Sequence, residues 1–239
     1  MIKVQNLTKK YKTNVKVSKS STSYALDNVS LTIKEGKITA ILGTNGSGKT
    51  TLLKSLMGFV RPTSGKVFID DEKISHKSYE KMIFIPDCPT HFPGFSIKEM
   101  IDFYKDFYPT WNSEKEREML DFFGLDINQN IDSLSKGNIA KVKLVLGYCL
   151  DMKYIIMDEP FNGIDIFKRE EFVSVMARFM EEDQAIILST HEIDEIEKIV
   201  DYVFILSDGK LVSEFDAEEM RSLEGKSIIE KIREVSLND

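Results

Sequence analysis

Short runs of Val, Ile, Leu and Phe alternate along this chain with longer stretches whose apolar residues return every three or four positions. The short runs predict strands at Lys3–Asn6, Leu31–Ile33, Ile38–Leu42, Lys66–Ile69, Met82–Ile85, Tyr154–Met157, Ala185–Leu188, Tyr202–Leu206 and Lys210–Ser213. The longer ones predict helices beginning near Lys49, Ser96, Ser113, Ser135, Ile166, Glu192 and Ala217. The last helix continues through "SIIEKIREV" after a break at Gly225. Strands interleaved with helices make this an α/β protein. No internal repeat is visible.

One stretch departs from the alternation. Between Asp87 and Leu150 there are three helical patterns and no convincing strand, as expected of an all-helical insertion. Its aromatics Phe103, Phe107 and Trp111 recur at i, i+4 and i+8, beside Tyr104 and Tyr108. That spacing fits the core of the inserted helices; it also fits a groove floor for a partner helix. The polar, Ser-rich segment Lys12–Ser23 reads as a hairpin loop without a specific role.

Composition narrows the class. With 239 residues, 42% of them hydrophobic and 30% charged, the chain has enough apolar material for a large core. Its net charge of −7 argues against a general nucleic-acid binder. Two cysteines, Cys88 and Cys149, are too few for a disulfide framework, and both read as core residues of a protein in a reducing cytoplasm. His76 and His91 read as surface or turn residues, with no partner at metal-ligand spacing. The opening "MIKVQNLTKKYK" lacks the apolar run of a signal peptide. No stretch of about 18 apolar residues occurs, so work at a membrane would need another chain to cross it.

The strongest chemical signal is "ILGTNGSGKTTL". Gly43 to Thr50 fits G-x-x-x-x-G-K-[ST], after a strand run and before a helical one. Glycines let the backbone wrap an anion closely, and the helix N-terminus adds a favourable dipole. Gly43, Asn45, Gly46, Ser47, Gly48, Lys49, Thr50 and Thr51 therefore form the candidate phosphate cradle. Lys49 is placed to reach β- and γ-phosphates, and the Thr50 hydroxyl to coordinate Mg²⁺. "YIIMDEP" puts two acids at the end of a buried strand. Asp158 is the candidate holder of a magnesium-bound water, and Glu159 the candidate general base for an attacking water. "LSTH" ends another apolar strand and offers His191 to a γ-phosphate. In "DSLSKGNIAK", Ser135 and Gly137 sit on a helix tip about ninety residues beyond the phosphate loop. Alone they read as an ordinary helix cap.

Together, Gly43–Thr50, "LSKGN", "IIMDEP", "NGID" and "STH" resemble the nucleotide-binding subunit of an ATP-binding cassette (ABC) transporter, over nearly the whole chain to about Asp216. "LSKGN" is the discriminating element, because other phosphate-loop ATPases share the remaining motifs. The resemblance implies a P-loop NTPase (RecA-like) core with an antiparallel β subdomain and an inserted all-helical subdomain. The expected divisions are 1–86 with 151–215 for the catalytic core, 87–150 for the helices and 216–239 for a short tail. It implies that Ser135 and Gly137 cap ATP held by a second subunit, that Tyr11 stacks on adenine with Tyr24 as a rival, and that Asp165 communicates between two sites. Two positions depart from the family. Asp87 stands where Gln is usual, leaving in doubt whether it meets Mg²⁺ directly, through water or not at all. Lys136 and Asn138 alter the usual LSGGQ without removing the serine or the second glycine.

The implied activity is ATP hydrolysis with Mg²⁺, driven by pairing of two cassettes as a homodimer or heterodimer. The implied partner is a separate transmembrane permease, which places the chain peripherally on the cytoplasmic face of the membrane. Residues 84–112 resemble small bacterial export cassettes linked to peptide or antibiotic efflux. The short tail points the same way, since importer ATPases commonly carry a longer one. The alternative from another class is a soluble ABC ATPase in an assembly role, such as iron–sulfur cluster scaffolding.

Overall fold

The structure, a computed structural model, describes residues 1–12, 22–191, 193–194 and 196–237. Six strands form one sheet in the order β10-β9-β3-β8-β7-β6. They are β3 (Ile38–Leu42), β6 (Met82–Ile85), β7 (Tyr154–Asp158), β8 (Ala185–Thr190), β9 (Tyr202–Ser207) and β10 (Lys210–Asp216). All neighbours run parallel except the β9–β10 pair at one edge. Burial on both faces explains why β3, β7 and β8 read as unbroken apolar runs.

Side-chain alternation splits those strands between two cores. Ile38, Ala40, Leu42, Ile155, Met157, Ile186 and Leu188 point toward the helices α4 (Lys136–Tyr148) and α5 (Ile166–Arg178). Ile41, Tyr154, Ile156, Ala185 and Ile187 point to the other face. There they meet α1 (Lys49–Leu56) and a second, antiparallel sheet of order β2-β1-β4-β5. That sheet comprises β1 (Ile2–Lys12), β2 (Thr22–Ile33), β4 (Ser64–Ile69) and β5 (Glu72–Lys73).

Between β6 and β7 lie α2 (Ile97–Phe107), α3 (Ser113–Phe123) and α4, with one isolated bridge between Ser96 and Asn130. Each helix carries its own start signal. Ser96 and Glu99 form a capping box, Asn112 accepts from the amides of Glu114 and Lys115, and Ser135 caps α4. The tail is α6 (Ala217–Glu224) and α7 (Ile228–Leu237), separated at Gly225, whose φ of 64° ends the first helix. No helix among the described residues is long and apolar enough to cross a membrane.

Four expectations change. β1 and β2 are far longer than the predicted Lys3–Asn6 and Leu31–Ile33, because a ribbon with one solvated face tolerates polar residues. Bulges near Asn6 and Asn28, both at positive φ, also break the strict alternation that would have flagged them. Of the expected loop Lys12–Ser23, the ends pair as Lys12–Thr22 and Tyr11–Ser23, while 13–21 lie outside the described residues. The helix expected near Glu192 is not formed among the described residues, and Glu192 itself lies outside them. Ile193, Ile196 and Val200 are buried at helical spacing, but as successive turns. The chain must straighten by Asp201, whose amide already bonds to the carbonyl of Ile38 at the start of β3.

Cys88 and the aromatic stripe are the other corrections. Cys88 is exposed in the loop after β6, whereas Cys149 is buried as expected. Tyr104 and Trp111 pack against the core, but Phe107 is 65% exposed and the half-buried Phe103 meets Phe92 edge to face and Phe107 at a tilt. Only one edge of the stripe is core. His76 is exposed, and His91 hydrogen-bonds Asp132 at 3.0 Å.

Burial pushes the Cys149 thiol up to about 12. Under native conditions at neutral pH, a thiol reagent should therefore label one cysteine per chain, Cys88. A second equivalent should appear only on unfolding, as mass spectrometry of the labelled protein would show.

Candidate functional site

Parallel strands deliver their polar ends to one edge of the sheet. The loop after β3 carries the glycine-rich segment, and α1 begins directly at Lys49. Gly48 precedes it at φ 108°, and a Cβ there would stand 2.3 Å from the carbonyl oxygen of Ala25, so no other residue fits without displacing β2. Lys49 is only 5% exposed. Its ammonium donates to the carbonyls of Gly43 (2.7 Å) and Thr44 (3.3 Å) and pairs with Glu159 Oε1 at 3.1 Å.

β7 supplies Asp158 and, just beyond it, Glu159. The Thr50 hydroxyl donates to Asp158 Oδ1 at 3.0 Å, and Ser189 Oγ donates to the same oxygen at 2.7 Å. Ser189 also receives the amide of Glu159, on its hydroxyl at 3.0 Å and its carbonyl at 3.1 Å. Glu159 has φ 46°, a left-handed backbone that few residues other than glycine, asparagine and aspartate adopt, held by that double contact. Its second oxygen lies 2.9 Å from His191 Nδ1. One carboxylate thus touches both the buried cation and the histidine.

A cavity of about 410 Å³ collects Asn45, Gly46, Gly48, Lys49, Thr50, Thr51, Asp87, Glu159, Asn162 and His191, with Ala25 at its rim. Asp87 arrives from the loop after β6, and its carboxylate accepts from Asn162 Nδ2 at 3.2 Å. Ser47 is buried beneath the loop, its carbonyl bonded to the amide of Gly209. Gly43 packs against Ser47 and the carbonyl of Leu206. The hard oxygens of Thr50 and Asp158 fit Mg²⁺, which usually takes one or two protein ligands beside phosphate oxygens.

Ser135, Gly137, Asp165 and Tyr11 do not line this cavity. Ser135 is exposed and accepts the amide of Asn138 at 3.3 Å, and Gly137 is buried in the first turn; Lys136 between them lines a neighbouring cavity with Asp87, Glu159 and Asn162. Asp165 is exposed before α5. Tyr11 and Tyr24 are similarly exposed, at 43% and 45%, but on opposite faces of the β1–β2 ribbon. Lys10 pairs with Tyr24 and Lys9 with Leu26, the bulge between them reversing the alternation. Tyr11 therefore shares a face with Lys9 and with Leu26, whose Cδ2 lies 3.1 Å from a Cβ built on Gly48. That is the side of the phosphate loop.

Two residues of the site went unrecognised in the sequence. Ser189 was visible within "LSTH", but its role depends on the parallel pairing of Asp158 with Ser189. Asn162 was visible within "NGID", but its contact with Asp87 spans 75 positions.

A parallel sheet with this loop at its strand ends defines a P-loop nucleoside triphosphatase. A model of the ABC transporter family matches residues 26–162. Among curated relatives, the uncharacterized ABC transporter ATP-binding protein YcbN of Bacillus subtilis is 31% identical over 229 residues, covering 92% of this chain and 71% of the relative. The petrobactin import ATP-binding protein YclP of the same organism is 28% identical and covers 99% and 94%. The dimeric post-hydrolysis structure of the ATP-binding cassette MJ0796, bound to ADP and Pi, superposes with a TM-score of 0.77 at 25% identity, covering 91% of this chain and 99% of that one. The chain belongs to the ABC transporter family and is an ATPase of that family.

Ser189→Ala removes the donor that Asp158 shares with Thr50, at a fully buried position. Urea denaturation should show a loss of about 1–2 kcal/mol. ATP turnover should fall further than the stability change explains, because Glu159 loses a backbone anchor beside the histidine.

Proposed function

We propose that two copies of this cassette, or one copy and a sister cassette, close around ATP and drive a separate membrane-spanning permease. The observation that carries this reading is the split in the site. The cavity that gathers Lys49, Thr50, Glu159, Asp87 and His191 excludes Ser135 and Gly137 of the same chain. A helix tip with free amides and a hydroxyl suits an anion, and a facing second chain would bring its tip to this cavity.

The residues then divide the work. Lys49 exchanges its contacts with Glu159 and the loop carbonyls for phosphate oxygens, which frees Glu159 to hold and deprotonate a water. His191 keeps that carboxylate oriented and faces the terminal phosphate. Thr50, with Asp158 behind it, holds Mg²⁺, which would neutralise charge on the phosphates. Tyr11, on the phosphate-loop face of its ribbon, takes adenine, and Asp165 carries the state of one site toward the other. Three helices between β6 and β7 act as the mobile unit that bears the Ser135 tip, with 1–86 and 151–215 as the catalytic core and 216–239 as its tail.

The finer reading is a peripheral subunit on the cytoplasmic face that powers export of amphipathic or antimicrobial peptides, supported by the resemblance of residues 84–112. Peptide-stimulated ATP turnover by the reconstituted pair would bear it out, and stimulation by an imported ligand would replace it. Recovery of only soluble partners from detergent-solubilised membranes would favour an assembly ATPase instead.

Glu159→Gln should lock the closed pair: with ATP and Mg²⁺ it should elute as a dimer on size exclusion, where monomers would overturn the scheme. With Mg²⁺ present, Asp87→Ala should lower partner-stimulated turnover more than it lowers ATP affinity. Equal losses in both assays would show that Asp87 serves binding rather than coupling.

A further inference from the structure

Lys143 stands outside this set yet touches its edge. It lies in the middle of α4 among the buried residues Val142, Leu144, Val145 and Leu146, and its own side chain is half-buried. Its ammonium crosses to the loop after β6, donating to the carbonyl of Pro86 and, at 3.1 Å, to that of Asp87. One turn further on, α4 and β6 approach so closely that a Cβ on Gly147 would stand 2.4 Å from Ile85 Cδ1. The ammonium is thereby held at a set place behind the loop. Burial draws the Lys143 pKa below the ordinary lysine value, and the negative charge of Asp87 acts in the opposite direction.

The front of the same loop faces the phosphate cavity. Asp87 and Glu159 both line it, Asp158 sits just behind Thr50, and Lys49 is its one lysine or arginine among the described residues. A site for a polyanion therefore carries more fixed negative than positive charge on its walls. We propose that Lys143 is the counter-charge that lets Asp87 stand in this cavity: an ammonium pinned behind the loop that offsets the carboxylate's repulsion of phosphates. It acts through its charge and is not a catalytic residue. The inference rests on reading the Gly43–Thr51 cavity as the phosphate site.

The test is equilibrium binding of ATP to the purified chain in chelator, so that metal does not mask the charges. Lys143→Met should weaken binding about fivefold at low salt, and the loss should shrink at about 0.5 M KCl. Lys143→Gln, which keeps a donor for the two carbonyls but no charge, should match it, and Lys143→Arg should bind as wild type does. Fixed charges act additively on a phosphate, so Asp87→Asn should tighten binding by a similar factor, and Asp87→Asn combined with Lys143→Met should bind about as wild type does. A double variant that binds as weakly as Lys143→Met alone, or a Lys143→Gln protein that binds normally, would overturn the inference. Should Lys49→Ala bind ATP as well as wild type, the phosphate-site reading itself fails, an outcome separable from any pattern in the double-mutant comparison.

Discussion

Lys49 carries its charge into a place that water barely reaches. Such an ion is tolerable only when surrounded by acceptors, and the loop carbonyls of Gly43 and Thr44 with Glu159 supply them. Much of the local architecture serves that requirement. The glycine-rich loop must bend back on the ammonium, Gly48 must press against β2, and β7 must end where a carboxylate can meet it. The arrangement is satisfied but exchangeable, since each of these acceptors can give way to a phosphate oxygen. A buried cation whose partners are replaceable is how a resting protein keeps an anion site ready.

The two-core construction makes this placement rigid. Strands β3, β7 and β8 bury one set of side chains against helices and the other against α1 and the second sheet. A one-residue slip would send side chains fitted to one core into the other. Register fixed in this way sets Asp158 beside Ser189 and the amide of Glu159 against the same serine. The hydrogen bonds around the carboxylates are short-range, but the distances come from hydrophobic packing in the middle of the sheet.

Charge is balanced over a longer range. The acidic side of the cavity includes Asp87, which comes from the loop that also leads into the inserted helices. α4 both carries the Ser135 tip and reaches back to that loop through Lys143 and Gly147. The helix is thus joined to β6 and the loop after it at two places, by the hydrogen bonds of Lys143 and by the close packing of Gly147 on Ile85.

Features built from consecutive residues were legible without coordinates. The phosphate loop, the paired acids of "YIIMDEP", the caps at Ser96 and Ser135 and the apolar central strands all follow from local sterics, hydrogen bonding and periodicity. The full length of β1 and β2 was not, because bulges at Asn6 and Asn28 scramble the period, nor was the turn structure at 193–200, where the helical spacing is real but the return to β3 cuts it short. The composition of a segment could not say that Cys88 and Phe107 face outward. Ser189 against Asp158, Asn162 against Asp87, Lys143 behind that loop and Tyr11 rather than Tyr24 on the phosphate side are decisions of the tertiary structure. Each joins residues far apart in the chain, and their separation in space is set by strand register and helix packing, which no local pattern encodes.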